Sequence, residues 1–151
     1  MPSPYPGPDL GKYGAGRASF PVMPLVKIHR RAGHPAAQNE QIMAAVHEAL
    51  VAAFRIPEHD RNHLLFEHDS EHFQIAPDRT TAFTLIEIVA YPGRTVEAKR
   101  NLYREIGERL ARIGVPPADL FVILSEPALE NWSVRNGVSA LDDPPGFKLT
   151  V

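Results

Sequence analysis

Two halves of this chain carry the same punctuation about sixty residues apart, and that repeat constrains the fold more than any single residue does. Gly33 matches Gly93, Ile56-Pro57 matches Val115-Pro116, Asp60 matches Asp119, and Leu64-Leu65 matches Ile123-Leu124. A period of this size marks a duplicated supersecondary unit. In the first unit, Leu25 to Arg30 reads as a strand, with Val26 and Ile28 on one face and Lys27 and His29 on the other. Ala32-Gly33-His34-Pro35 is a turn, and Pro35 suits a first helical position. Ile42, Val46, Ala49, Leu50, Ala53 and Phe54 then recur three or four apart, which predicts a helix over 36–54 that stops at Ile56-Pro57. His63 to Glu67 is the second strand, followed by a polar connection. The second unit repeats the plan. It has a strand over Ala82–Ala90, a turn at Tyr91-Pro92-Gly93-Arg94 and an N-cap at Thr95. Its helix carries Val96, Tyr103, Ile106, Leu110 and Ile113 on one side and ends at Gly114, before a strand over Asp119–Leu124.

A strand, a crossover helix and a parallel strand form a right-handed unit, and two such units can share one sheet. The expected class is therefore α+β: a tandem β-α-β repeat forming one four-stranded mixed sheet with both helices on one face. The other face stays bare, so its apolar residues call for a second copy as cover. The alternative is a monomeric ferredoxin-like sandwich with a tolerably polar open face.

Composition sets the outer limits. A chain of 151 residues with 44% hydrophobic residues suits one core. We assign it to 23–151, with units over about 24–67 and 82–125 and a C-terminal segment 126–151. Residues 1–22 contain five prolines and four glycines without an apolar period. They are expected to form a flexible extension, or to reflect a start assigned too early. A net charge of −2 argues against a nucleic-acid surface, and the lack of cysteine removes disulfide and thiol chemistry. No apolar run reaches membrane-spanning length and no signal-peptide pattern opens the chain, so a cytoplasmic location is expected.

Met23-Pro24-Leu25-Val26-Lys27-Ile28 places a proline at the opening of the first strand. Were Met23 a start residue and removed, Pro24 would present a secondary amine, a base that no other residue type supplies. Within the longer chain its nitrogen is an amide without basicity.

This strand start, the duplicated plan, Ile56-Pro57-Glu58-His59-Asp60-Arg61, Gly93-Arg94-Thr95 and Glu130-Asn131-Trp132-Ser133 together resemble the tautomerase superfamily. The resemblance covers about residues 23–140 and leans to the longer-subunit branch that includes malonate semialdehyde decarboxylase. It implies a homotrimer, small 2-oxo or 3-oxo acid substrates, and no metal or organic cofactor. It also implies an amino-terminal proline, here Pro24, acting as general base or acid. By the same resemblance Arg94 binds the substrate carboxylate, which its planar fork suits; the plainer reading is a solvated turn arginine. Asp60 matches an aspartate that activates water or orients substrate, against a helix-cap or Arg61 ion-pair role. His34 stands where many relatives carry arginine. Trp132 would wall the pocket or simply pack, and Phe147 is a weaker wall candidate.

Two departures bear on the reaction. Pro92 stands where the decarboxylase pattern has a second arginine, and Tyr91 stands where other relatives carry one. Both favour keto–enol proton transfer over decarboxylation or hydration, the alternative chemistry. A non-catalytic trimeric binding protein is the remaining alternative if Pro24 is blocked. The histidines His59, His63, His68 and His72 resemble metal ligands superficially. Strand alternation puts His63 and His68 on opposite faces, so no metal site is expected. Glu87, inside an apolar strand, either hydrogen-bonds within an assembly or faces the site.

Overall fold

The computed structural model describes residues 24–142. Phe147 and the 1–22 tract lie outside them. The strands are β1 (Leu25–Arg31), β2 (Asn62–His68), β3 (Thr84–Val89) and β4 (Leu120–Ser125), and the helices are α1 (Ala36–Phe54) and α2 (Val96–Ala111). They form one sheet in the order β2-β1-β3-β4. The pairs β1–β2 and β3–β4 are parallel, each closing one β-α-β unit, and the units meet through antiparallel β1–β3.

Alternation along β1 decides the layers. Val26, Ile28 and Arg30 are fully buried beneath the helices, while the residues between them face the other way. Ile86 and Ile88 of β3 join them, and Ile42, Val46, Ala49 and Leu50 of α1 close the core from above. From α2 the core takes Leu102, Ile106 and Leu110. The expected stripe was partly different: Val96 and Tyr103 are 61% and 40% exposed. The row at i+4 spacing turns inward, and Tyr103, about 100° round the helix from Leu102, is left at the rim.

Local boundaries also shift. Pro35 is the residue before α1 rather than its first helical residue. The helix ends at Arg55, whose φ of 54° is left-handed and whose N–H reaches Val51 O at 3.1 Å, one residue ahead of Ile56-Pro57. Thr95 caps α2 as expected, its hydroxyl accepting from Ala98 N at 3.1 Å.

The sheet face away from the helices carries exposed Leu64, Phe66, Phe121 and Ile123, each between 39% and 49% accessible. Among these stand Lys27, His29 and Glu87, aligned by register with Leu64, Phe66 and Ile123. Glu87 therefore belongs to this open face. Its Oε2 lies 3.0 Å from His29 Nε2, and His29 Nδ1 lies 2.8 Å from His68 Nε2. A face of this kind is normally covered by another copy. Sedimentation at micromolar concentration is expected to show a homotrimer of the 16.7 kDa chain. A single-chain species would mean that the face is tolerated in water.

Candidate active site

Pro24 is buried immediately ahead of β1. Leu25 pairs with Asn62 at the start of β2 and with Val89 at the end of β3, so Pro24 leaves the sheet between those two strand ends. Three other segments arrive there. Asp60, 4% exposed, lies two residues before the start of β2. The turn Tyr91–Arg94 follows β3. Ser125 and Glu126 follow β4, anchored where Ala90 N donates to Ser125 O at 2.9 Å.

Arg94 is 7% exposed and weakly held. Its Nη1 donates to Tyr91 O at 3.4 Å, its guanidinium carbon lies 4.9 Å above the Phe54 ring, and its buried Nε has no hydrogen-bond partner among the described residues. Burial pushes its pKa below the usual arginine value, and the Glu126 charge opposes that shift. A buried guanidinium that lacks a direct carboxylate partner can accept one from a ligand. Trp132 meets Tyr91 edge-on with ring centroids 5.0 Å apart, and its Nε1 donates to Pro127 O at 2.9 Å. Tyr91, Leu25, Leu129 and Ala140 pack with it into a small apolar cluster at the same end of the sheet.

His34 does not converge with these residues within one chain. It follows the far end of β1, and its Nε2 lies 2.9 Å from Thr81 O. Seven strand residues separate it from Pro24, a span of roughly 20 Å. Two clefts, of about 770 and 520 Å³, open over the helices and are lined by none of the five candidate residues. The site is thus defined by converging strand ends rather than by either cleft.

The histidine-rich stretch divides as alternation dictates. His68 stacks on His29 at the open face, while His63 turns under α1 to meet His47 at 5.6 Å between ring centroids. His59 and His72 are exposed. Burial, with help from His47 and Arg61, pushes His63 down to about 4. The unfolded ring takes up its proton near 6.5, so His63 stabilises the fold fully above that pH and progressively less as pH falls toward about 4. Between about pH 7 and about pH 4 we expect a loss on the order of 1–3 kcal/mol, read from urea midpoints. His63→Leu should flatten that dependence.

Some residues of interest escaped the sequence reading. Glu126 acts on Arg94 and is held by Lys99, yet no motif marks either, and Phe54, legible only as part of the α1 stripe, lies under the Arg94 guanidinium. Arg30, fully buried, donates from Nε to Thr84 Oγ1 at 3.1 Å and from Nη1 to Gln38 Oε1 at 3.1 Å and Asn39 Oδ1 at 2.8 Å, while its buried Nη2 has no hydrogen-bond partner among the described residues. Its place in the 26-28-30 alternation was the available signal.

Comparison with known proteins bears on this arrangement. A family model described as tautomerase enzyme matches residues 60–135, and a second with the same description matches residues 24–82. The structure of FG41 malonate semialdehyde decarboxylase inhibited by 3-bromopropiolate is 33% identical, covering 79% of this chain and 95% of that one, with a TM-score of 0.71. This chain belongs to the tautomerase family. Among other tautomerase relatives, probable tautomerase YusQ of Bacillus subtilis (strain 168) is 29% identical over 121 residues, 76% of this chain and 95% of the relative. A symmetric trimer of wild-type fused 4-OT is 26% identical over 80% of this chain and 98% of that one, with a TM-score of 0.70. Within the tautomerase fold, the second match runs from β1 through β2 and the first from β2 through β4, so the two overlap at β2.

Proposed function

We propose that this tautomerase-family chain is a cofactor-independent, homotrimeric enzyme that moves a proton on a small 2-oxo acid or its enol, with Pro24 as general base and acid. The observation that carries the reading is the placement of Pro24, Asp60, Arg94 and Trp132 at one end of the sheet, with Arg94 buried and its Nε unpartnered among the described residues. Arg94 takes the substrate carboxylate through its planar fork. The free nitrogen of Pro24 accepts the enol hydroxyl proton. The C–C double-bond electrons then take a proton at carbon 3 from the protonated Pro24 amine, which returns to its free form as the oxygen becomes the carbonyl. No atom is gained or lost. A secondary amine is intrinsically more basic than an ordinary α-amino group, which titrates near 8; an apolar wall including Trp132 and a nearby guanidinium would lower it toward neutrality, where exchange in both directions is efficient.

The trimeric fused 4-OT structure and the exposed apolar face support the homotrimer. His34 would reach this site only from a neighbouring copy in that assembly. A second reading, decarboxylation or hydration of a 3-oxo acid, is favoured by the 33% identity to a malonate semialdehyde decarboxylase and by buried Asp60, which could orient water. Pro92, in place of a second arginine, weighs against it. Parallel assays decide: loss of enol absorbance from a 2-oxo acid enol against carbon dioxide release from a 3-oxo acid. Turnover of only the second substrate would replace the first reading with the second. Turnover of neither by a chain beginning at Pro24 would leave a binding protein.

A further inference from the structure

Arg94 shares its surroundings with one more ion pair. Glu126 follows β4, and the Ala90–Ser125 hydrogen bond sets it beside Tyr91, whose carbonyl holds Arg94. Glu126 Oε2 is bound by Lys99 Nζ at 2.7 Å, with the two side chains 19% and 28% exposed. Glu126 Oε1 is buried without a hydrogen-bond partner among the described residues, as is Arg94 Nε. An unpartnered donor and an unpartnered acceptor thus stand on segments joined by the Ala90–Ser125 bond, and Lys99 rather than Arg94 holds the carboxylate.

We propose that the Lys99–Glu126 pair sets which anions this site accepts. It neutralises Glu126, leaving the Arg94–Lys99–Glu126 group with one net positive charge, so the site takes monocarboxylates in preference to dicarboxylates and neutral esters. One substrate carboxylate brings the group to zero. A second would leave an unbalanced negative charge in a desolvated site beside Glu126, which is costly. Asp60 and Arg61, which stand at the same end of the sheet, carry opposite signs and between them add no net charge. The influence of the Glu126 charge on Arg94 supports their proximity. Lys99 is on this account a specificity-determining residue that acts through Glu126 and does not touch the reacting atoms.

The inference rests on Arg94 as the carboxylate site, and the test separates the two. The probes are the enol of phenylpyruvate and its methyl ester, and the readout is the ratio of their kcat/KM values. Lys99→Met should lower the acid-to-ester ratio about 3–10-fold, and Glu126→Gln should raise it by a similar factor, as expected for one partly screened charge a few ångströms away. The double variant, which restores one net positive charge, should return close to the wild-type ratio, and Lys99→Arg should hold it. Inhibition by a dicarboxylate, oxaloacetate, should strengthen in Glu126→Gln. If Arg94→Ala shifts the ratio while Lys99→Met and Glu126→Gln leave it unchanged or move it in the same direction, the charge-setting role is wrong and Arg94 stands. If Arg94→Ala also leaves it unchanged, both fall.

Discussion

A chain that begins at Pro24 is expected to turn over a 2-oxo acid enol about 10²–10⁴-fold faster than the uncleaved chain, the usual worth of a positioned general base. An amide nitrogen commits its lone pair to resonance and cannot accept a proton, whereas a terminal secondary amine can. Pro24 also fixes its own φ, so its ring nitrogen is aimed by β1, which follows it directly. Expression from Met23, with that methionine removed, should give the active form, verified by intact mass. Pro24→Ala in the short form keeps a primary amine and should retain part of the activity; acetylating the terminus should abolish it. Equal rates from the uncleaved and short chains would overturn the proline mechanism and shift attention to Asp60.

The second large effect belongs to Arg94. Replacing it with alanine should raise KM for the acid about 10–150-fold while barely changing the methyl ester, because a hydrogen bond to a charged group is worth about 1.5–3 kcal/mol. Arg94→Lys should fall between them, since an ammonium keeps the charge but lacks the fork. Phe54 should add to this effect only while Arg94 is present, because its ring lies beneath that guanidinium. An equal loss on acid and ester would assign Arg94 to holding the turn after β3, through its bond to Tyr91 O.

The architecture was legible because it follows from periodicities. Val26 and Ile28 alternate with Lys27 and His29, and the sheet keeps that division. The apolar stripe ending at Phe54 becomes the buried face of α1. The sixty-residue offset becomes two parallel strand pairs joined antiparallel at the centre. Arg30 was equally legible and was passed over, since charge suggested the surface while the two-residue period placed it inside. Tyr103 was misplaced for the converse reason: a seven-residue spacing from Val96 to Leu110 mimics a stripe, but packing selected the row through Leu102 and Ile106.

The site divides along a different line. Pro24, Asp60, Arg94 and Trp132 could be named from local segments and their resemblance to a family, because each sits in a short motif. Their meeting could not, since it depends on the register that sets Leu25 against both Asn62 and Val89. The same register leaves His34 at the other end of β1, although its turn matches the one bearing Arg94 in the repeat. Phe54 beneath Arg94, and Lys99 on Glu126, come from a helix end, a helix turn and a strand end that share no sequence period. Periodicity reports which way a side chain faces relative to its own element. Which distant charges become neighbours, and hence the net charge a substrate meets, is decided only when strand pairing and helix packing bring those elements together.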